Sequence, residues 1–253
     1  MFRIEMFGCP MDVASMDETV EFIRQRIDGH QFTQHVVVNV AKVVHLQGDA
    51  SLAESVRGCD LVGIDGMGVV WAARLLGYEV AERVTGIDLF GRLIGLAAES
   101  SLPVFLLGGT ADVVQASVAS LSARFPGLIV AGYHHGYFWD DEEHVVEQIS
   151  RSGARLLFVA ISSPKKEQFI SRWRETLGVD FAMGVGGTFD IIAGKVRRAP
   201  GWMQASGLEW LYRVIQEPRR MWRRYLVTNL AFAGMLVREY MSIRRDSRDP
   251  GPG

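Results

Sequence analysis

Residues 60–77 read DLVGIDGMGVVWAARLLG, and the way this stretch is punctuated decides the fold. A short apolar run, 60–64, ends in Asp65-Gly66-Met67-Gly68 and passes into a helical pattern, 69–76, that closes at Gly77. Four other runs end in the same manner. HVVV (35–38) ends in Asn39, PVFLL (103–107) in Gly108-Gly109-Thr110, LLFVAI (156–161) in Ser162-Ser163-Pro164-Lys165, and DFAMGV (180–185) in Gly186-Gly187-Thr188. Five β-rich runs alternating with helical patterns predict an α/β fold, a Rossmann-like parallel sheet flanked by helices. In such a sheet the carboxyl ends of the strands share one edge, and ligands bind in the crevice outside it. Upstream, Ser15-Met16-Asp17-Glu18 has capping-box spacing ahead of an amphipathic run that reaches Ile27.

Composition narrows the class. Of 253 residues 48% are hydrophobic and 22% charged, enough apolar material for a proper core. With 27 Lys and Arg against 29 Asp and Glu, the formal charge of -2 excludes a generally basic nucleic-acid coat or an acidic tail protein. The average conceals a polarity: residues 195–248 hold twelve Lys and Arg and four Asp and Glu, a net +8 against -10 for the remainder. Cys9 and Cys59 are too few and too far apart for a metal knuckle or a disulfide framework and read as two buried thiols in a reducing compartment. Arg3 and Glu5 interrupt the first residues, so a cytoplasmic start is expected. The apolar stretch 226–237 is twelve residues, about 18 Å as a helix, too short to span a bilayer.

Several residues stand where chemistry belongs. Asp65, at a strand end followed by two glycines, can act as a general base, hold a sugar hydroxyl, or cap the next helix. Asn39 can likewise read a ligand hydroxyl or serve as a cap. The turns at Gly108-Gly109 and Gly184-Val185-Gly186-Gly187 suit a diphosphate, because exposed N–H groups at a helix start favour an anion, though they also serve as plain turns. Neither is G-x-G-x-x-G and no P-loop occurs, which disfavours a nucleotide-cofactor oxidoreductase. No Asp-x-Asp pair or histidine ligand spacing demands a metal, and Asp140-Asp141-Glu142-Glu143 reads as the acidic first turn of a surface helix. On a helical wheel begun at Pro218, Arg219, Arg220, Arg223 and Arg224 cover about 140°, with Trp222, Tyr225, Phe232, Ala233 and Leu236 opposite. Such a basic face suits an anionic membrane surface or a lipid diphosphate, and a non-catalytic membrane or nucleic-acid adaptor is the second alternative.

The strings IDGMGVVWAARLLG (64–77), ERVTGIDL (82–89), SPKKE (163–167), GVGGTFDIIAGKVRRAPGWMQ (184–204) and GLEWLYRVIQEPRRMWRRYL (207–226) closely resemble the WecG/TagA/CpsF glycosyltransferases. The resemblance runs from the first strand to about Phe232. With the change of charge at 195 it implies a catalytic domain over 1–194 and a basic helical appendage over 195–245 that binds membrane and acceptor; the last dozen or so residues lie outside the resemblance, and 246–253 are expected to be a disordered tail. The implied activity moves a sugar from a UDP-sugar to a polyprenyl-diphosphate-linked sugar at the inner face of a bacterial membrane, for a surface polysaccharide, with inversion and without metal or other cofactor. Asp65 falls on the family's base; Asn39 and Arg83 fall on active-site positions. Gly108, Gly109, Tyr137, Gly186 and Asp190 are expected against UDP, and Arg213, Arg220 and Arg223 against the lipid diphosphate. The implied partners are the two substrates and an anionic membrane surface, with self-association open and no nucleic acid. Two positions depart from the family pattern: Val37 replaces a Thr, and Lys166 replaces the Gln of P-K-Q-E. Lys166 brings an ammonium suited to a phosphate or a sugar carboxylate, so N-acetylmannosamine, its uronic acid and glucose are all candidate donor sugars.

Overall fold

Period-two and continuous apolar runs pair into an eight-stranded sheet in the structure, a computed structural model that describes residues 1–246 apart from the side chains of Arg220, Arg224, Arg245 and Asp246. From 247 on, the expected disordered tail lies outside the described residues. The strands are β1 (Phe2–Met6), β2 (Cys9–Val13), β3 (Thr33–Val38), β4 (Leu61–Ile64), β5 (Val104–Gly108), β6 (Val130–His134), β7 (Leu156–Ala160) and β8 (Phe181–Gly184). The helices between them are α1 (Met16–Asp28), α2 (Val40–Leu46), α3 (Ala50–Arg57), α4 (Met67–Leu75), α5 (Gly86–Glu99), α6 (Ala111–Arg124), α7 (Glu142–Arg151) and α8 (Lys165–Trp173). After β8 come α9 (Thr188–Ile192), α10 (Gly201–Ala205), α11 (Glu209–Gln216) and α12 (Pro218–Asp246).

The sheet runs β1-β2-β4-β3-β8-β7-β5-β6. The five strands read from sequence are all present and parallel, as the α/β reading requires. Three more were not read. β1 and β2 form an antiparallel hairpin across Phe7-Gly8, both with positive φ, a two-residue turn that lacks the usual Asn-Gly signal. β6 is an edge strand of small and half-exposed residues, VAGYH, with little apolar alternation to betray it.

β3 and β8 meet at the seam where the chain's two halves join, and the carboxyl ends of the parallel strands form the edge where an open α/β sheet receives a ligand. Buried apolar side chains fill both faces. One cluster joins the hairpin and α2–α4 to Phe232 of α12, whose ring meets Phe7 edge-on at 5.1 Å. A second packs α1, α5 and α6 around Phe90, Phe158 and Phe181; a third packs α7 and α8 around Phe169. Local signals match: Ser15 and Glu18 form the reciprocal capping box of α1, Glu142 and Glu143 open α7, and Cys9 and Cys59 are free, buried thiols.

Candidate active site

Two glycines bring the first pair of site residues together. A Cβ on Gly66 would lie 3.1 Å from the Asn39 Cβ, and one on Gly68 would lie 2.7 Å from Val40 Cγ2. Without those atoms the start of α4 settles against the start of α2, so Asp65 and Asn39 lie side by side at the carboxyl ends of β4 and β3. The Asp65 N–H extends the ladder by one bond to the Val38 carbonyl, 2.9 Å away. Asn39 proves to be the N-cap of α2, its Oδ1 accepting from the Lys42 N–H at 3.0 Å, yet the residue is exposed at the crevice. Asp65 does not cap. The N-cap of α4 is Gly66, with no side-chain capping bond, which leaves the carboxylate for other work.

Charge is arranged tightly around that carboxylate. Burial pushes the Asp65 carboxyl above its ordinary value, and Glu209 adds to the rise, while Arg83, Arg213 and Lys42 oppose it. Those residues come from a loop, from α11 and from α2, so tertiary structure gathers them. Arg83 pairs with Glu209 at 2.9 Å and donates to the Gln204 carbonyl at 3.3 Å. Glu209 also meets Arg198 at 3.4 Å, and Arg198 grips Asp88 of α5 through two bonds of 2.5 and 2.7 Å. This chain of alternating charges fastens α11 over the strand ends.

The remaining turns line the same edge. Gly108 and Gly109 have φ of +128° and +69°, and a Cβ on Gly108 would fall inside the backbone of Ala160. The Gly136 N–H donates to the Gly109 carbonyl at 2.8 Å, which holds the β6 loop, with Tyr137 72% exposed, against this turn. At the end of β8, Gly186 has φ +53°, and Asp190 lies in the first turn of α9. Beneath the β3/β8 seam, Lys42 pairs with Glu167 at 2.6 Å and Lys166 lies 3.5 Å from the same carboxylate oxygen. Burial works against the charge of Glu167, but Lys42 and Lys166 hold its carboxyl below the usual range.

A family model described as the glycosyl transferase WecG/TagA/CpsF family matches residues 4–246. The chain belongs to the WecG/TagA/CpsF family. An N-acetylglucosaminyldiphosphoundecaprenol N-acetyl-beta-D-mannosaminyltransferase of Bacillus subtilis (strain 168) is 39% identical over 162 residues, 64% of this chain and 62% of that protein. The enzyme of the same name from Bacillus spizizenii (strain ATCC 23059 / NRRL B-14472 / W23) is 37% identical over 167 residues, 66% of this chain and 64% of that protein. The chain thus matches less than two thirds of the length of either curated relative.

In this WecG/TagA/CpsF chain the C-terminal helix differs from the wheel reading in one respect. Phe232 is buried and Leu236 packs beside it, as expected of an inward face. Trp222, 54% exposed, and Ala233 instead stand in solvent, and Leu226, Val227, Leu230, Val237 and Met241 are exposed along with Arg219 and Arg223. The basic and apolar residues therefore share the outward surface rather than opposing each other, because α12 turns only a narrow stripe, centred on Thr228 and Phe232, towards the core. Arg213 and Arg223 are exposed on α11 and α12; the Arg220 side chain lies outside the described set. Sequence reasoning missed Lys42, Glu167, Arg198 and Glu209 as site residues. Three of them stand inside the family-like strings, but apart from the neighbouring Lys166 of Glu167 the partners named above are 11 to 126 residues away in the chain, which no local pattern encodes.

Proposed function

We propose that this chain is an inverting glycosyltransferase that moves a sugar from a UDP-sugar to a polyprenyl-diphosphate-linked sugar, without a metal ion, while resting on the inner face of a membrane. One observation carries the reading: an uncapped carboxylate, Asp65, stands at a strand end with a raised pKa and with Arg83 and Arg213 in its electrostatic neighbourhood. Asp65 accepts the proton of the acceptor hydroxyl as that oxygen attacks the anomeric carbon of the donor. The bond from that carbon to the diphosphate breaks on the opposite face, and UDP leaves with the electron pair, so the configuration inverts. Arginines and the N–H groups of the glycine turns meet the charge that develops on the leaving diphosphate. The curated relatives are named for N-acetylmannosaminyl transfer to a lipid-diphosphate N-acetylglucosamine, which, of the three candidate donor sugars, favours N-acetylmannosamine and supports an acceptor of that kind.

Membrane docking is supported by the mixed basic and apolar outward surface of α12, continued by the exposed Trp202 and Ile215. No described helix is long and apolar enough to cross a membrane. The test is turnover with UDP-sugars and a short-chain lipid-diphosphate sugar. Asp65→Asn is expected to lower the rate about 100-fold or more, the usual worth of a positioned base, with UDP binding retained. Near-normal turnover in that variant overturns the assignment.

A further inference from the structure

Arg83 stands near enough to Asp65 to oppose the rise in its pKa, and a guanidinium free to bind that carboxylate would strip it of its affinity for a proton. The Arg83 fork is engaged elsewhere. Nη1 meets Glu209 Oε2 at 2.9 Å, and Nη2 donates to the Gln204 carbonyl at 3.3 Å. Glu209 is held from its other side as well: Oε1 accepts from Arg198 Nε at 3.4 Å, so each oxygen has its own arginine. Arg198 is fixed in turn by Asp88, whose two oxygens accept from Nη1 and Nη2 at 2.5 and 2.7 Å. Burial works against the charge of Asp88, but Arg198 and Thr85 hold its carboxyl below the usual carboxylate range. Thr85 is the N-cap of α5 and lies two residues past Arg83. The charges therefore close into a ring that begins and ends at the 83–85 loop, with two arginines balanced by two carboxylates. Seating a helix does not require this, since ion pairs withdrawn from water cost desolvation energy and an apolar contact serves as well. Phe232 against Phe7 seats α12 in that way.

We propose that Glu209, aligned by Arg198 and Asp88, is a positioning residue that engages the Arg83 guanidinium and so keeps the Asp65 carboxylate free to accept a proton. The charged groups acting on Asp65 are Arg83 from the loop before α5, Glu209 and Arg213 from α11, and Lys42 from α2. Glu209 is the acidic member of the four. Without its charge three cations face the base, and Arg83 is released to bind it. This inference rests on the glycosyl-transfer reading, with Asp65 as base, and adds what preserves the basicity of that group.

The experiment measures turnover with UDP-sugars and a short-chain lipid-diphosphate sugar from about pH 5 to about pH 9, using the full chain as wild type, Glu209→Gln, Arg198→Met and the double variant. The acid limb of kcat against pH reports the base in the enzyme–substrate complex. Glu209→Gln is expected to move that limb to lower pH by about half a unit or more and to lower the plateau about tenfold, the scale of a charged hydrogen bond. Arg198→Met is expected to lower kcat while the KM of each substrate stays within about twofold of wild type. The double variant should lose no more than Glu209→Gln alone, because Arg198 acts through Glu209. A role confined to holding α11 would lower the melting temperature and leave the limb in place. An unmoved limb in Glu209→Gln, or losses that multiply in the double variant, overturn the proposal. If Glu209→Gln does not fold, Arg198→Met decides, and a kcat within about twofold of wild type overturns it. Wild type that turns over none of UDP-N-acetylmannosamine, its uronic acid and UDP-glucose overturns the glycosyl-transfer reading and this inference with it. An active wild type that Asp65→Asn silences, with the limb unmoved in Glu209→Gln, removes the positioning role alone.

Discussion

At Asp65 the requirements of the proposed proton transfer and of stability oppose each other. A base at a strand end has to be withdrawn from water to gain affinity for a proton, and burial with Glu209 close by raises its pKa accordingly. The folded chain therefore binds that proton more tightly than the unfolded chain does. Linkage then gives the sign: the contribution to stability is present in full below the unfolded carboxyl pKa and is lost as pH rises through the raised folded value. Above the unfolded value the carboxyl is therefore a burden on the fold. Asp65→Asn is expected to raise the melting temperature at pH 7 relative to wild type, with the gain shrinking as pH falls to 4, while it removes turnover. Thermal unfolding at the two pH values checks this; a variant equally or less stable at pH 7 contradicts the electrostatic account. Asn39 shows a different economy, since one amide caps α2 through Oδ1 and still stands exposed beside Asp65.

Among the elements, α12 joins the two properties a membrane contact needs. Its inward stripe is held by Phe232 with Met235 and Leu236, and its outward surface mixes Arg219 and Arg223 with Leu226, Leu230, Val237 and Met241. Charge attracts such a helix to anionic lipid at about 1 kcal/mol per basic residue, and buried apolar area holds it there. The two contributions separate by salt. Arg219→Glu with Arg223→Glu is expected to weaken binding to anionic vesicles by at least tenfold and to remove most of its salt dependence. Leu226→Asp with Leu230→Asp is expected to weaken binding while leaving a salt-sensitive remainder. Vesicle sedimentation at low and high ionic strength reads both, and unchanged binding in both double variants contradicts docking through this helix. The glycine turns work at the same scale: Gly66, Gly108 and Gly186 admit neighbours or backbone angles that a side chain would forbid, and each sits where a strand hands over to a helix.

Across the whole molecule, two tethers of different kinds seat the C-terminal helices on the sheet. The charged chain Arg83, Glu209, Arg198 and Asp88 holds α11 above the strand ends, and the Phe232 ring against Phe7 holds α12 on the hairpin side. Phe232→Ala is expected to cost about 3–5 kcal/mol, the usual scale for a buried ring removed from a core. It should also open α12 to limited proteolysis before the sheet unfolds; a variant as stable and as protease-resistant as wild type would show that the helix is held elsewhere. Much of this architecture was legible in the chain. Apolar runs ending in Gly, Asp, Asn or Ser announced five parallel strands and their shared edge, since period and punctuation are local properties, and the same strings carried the family resemblance and Asp65 with it. The hairpin and β6 escaped because Phe7-Gly8 lacks turn chemistry and VAGYH lacks alternation. What the sequence by itself determined is the parallel sheet, the edge on which the candidate site lies and the basic excess of the last fifty residues. Only the tertiary structure decided which charges surround Asp65, that Lys42 and Lys166 share Glu167, and that arginines and leucines of α12 face outward together. These depend on contacts between residues far apart in the chain, and hydrophobic patterning specifies which face is buried without specifying what it is buried against.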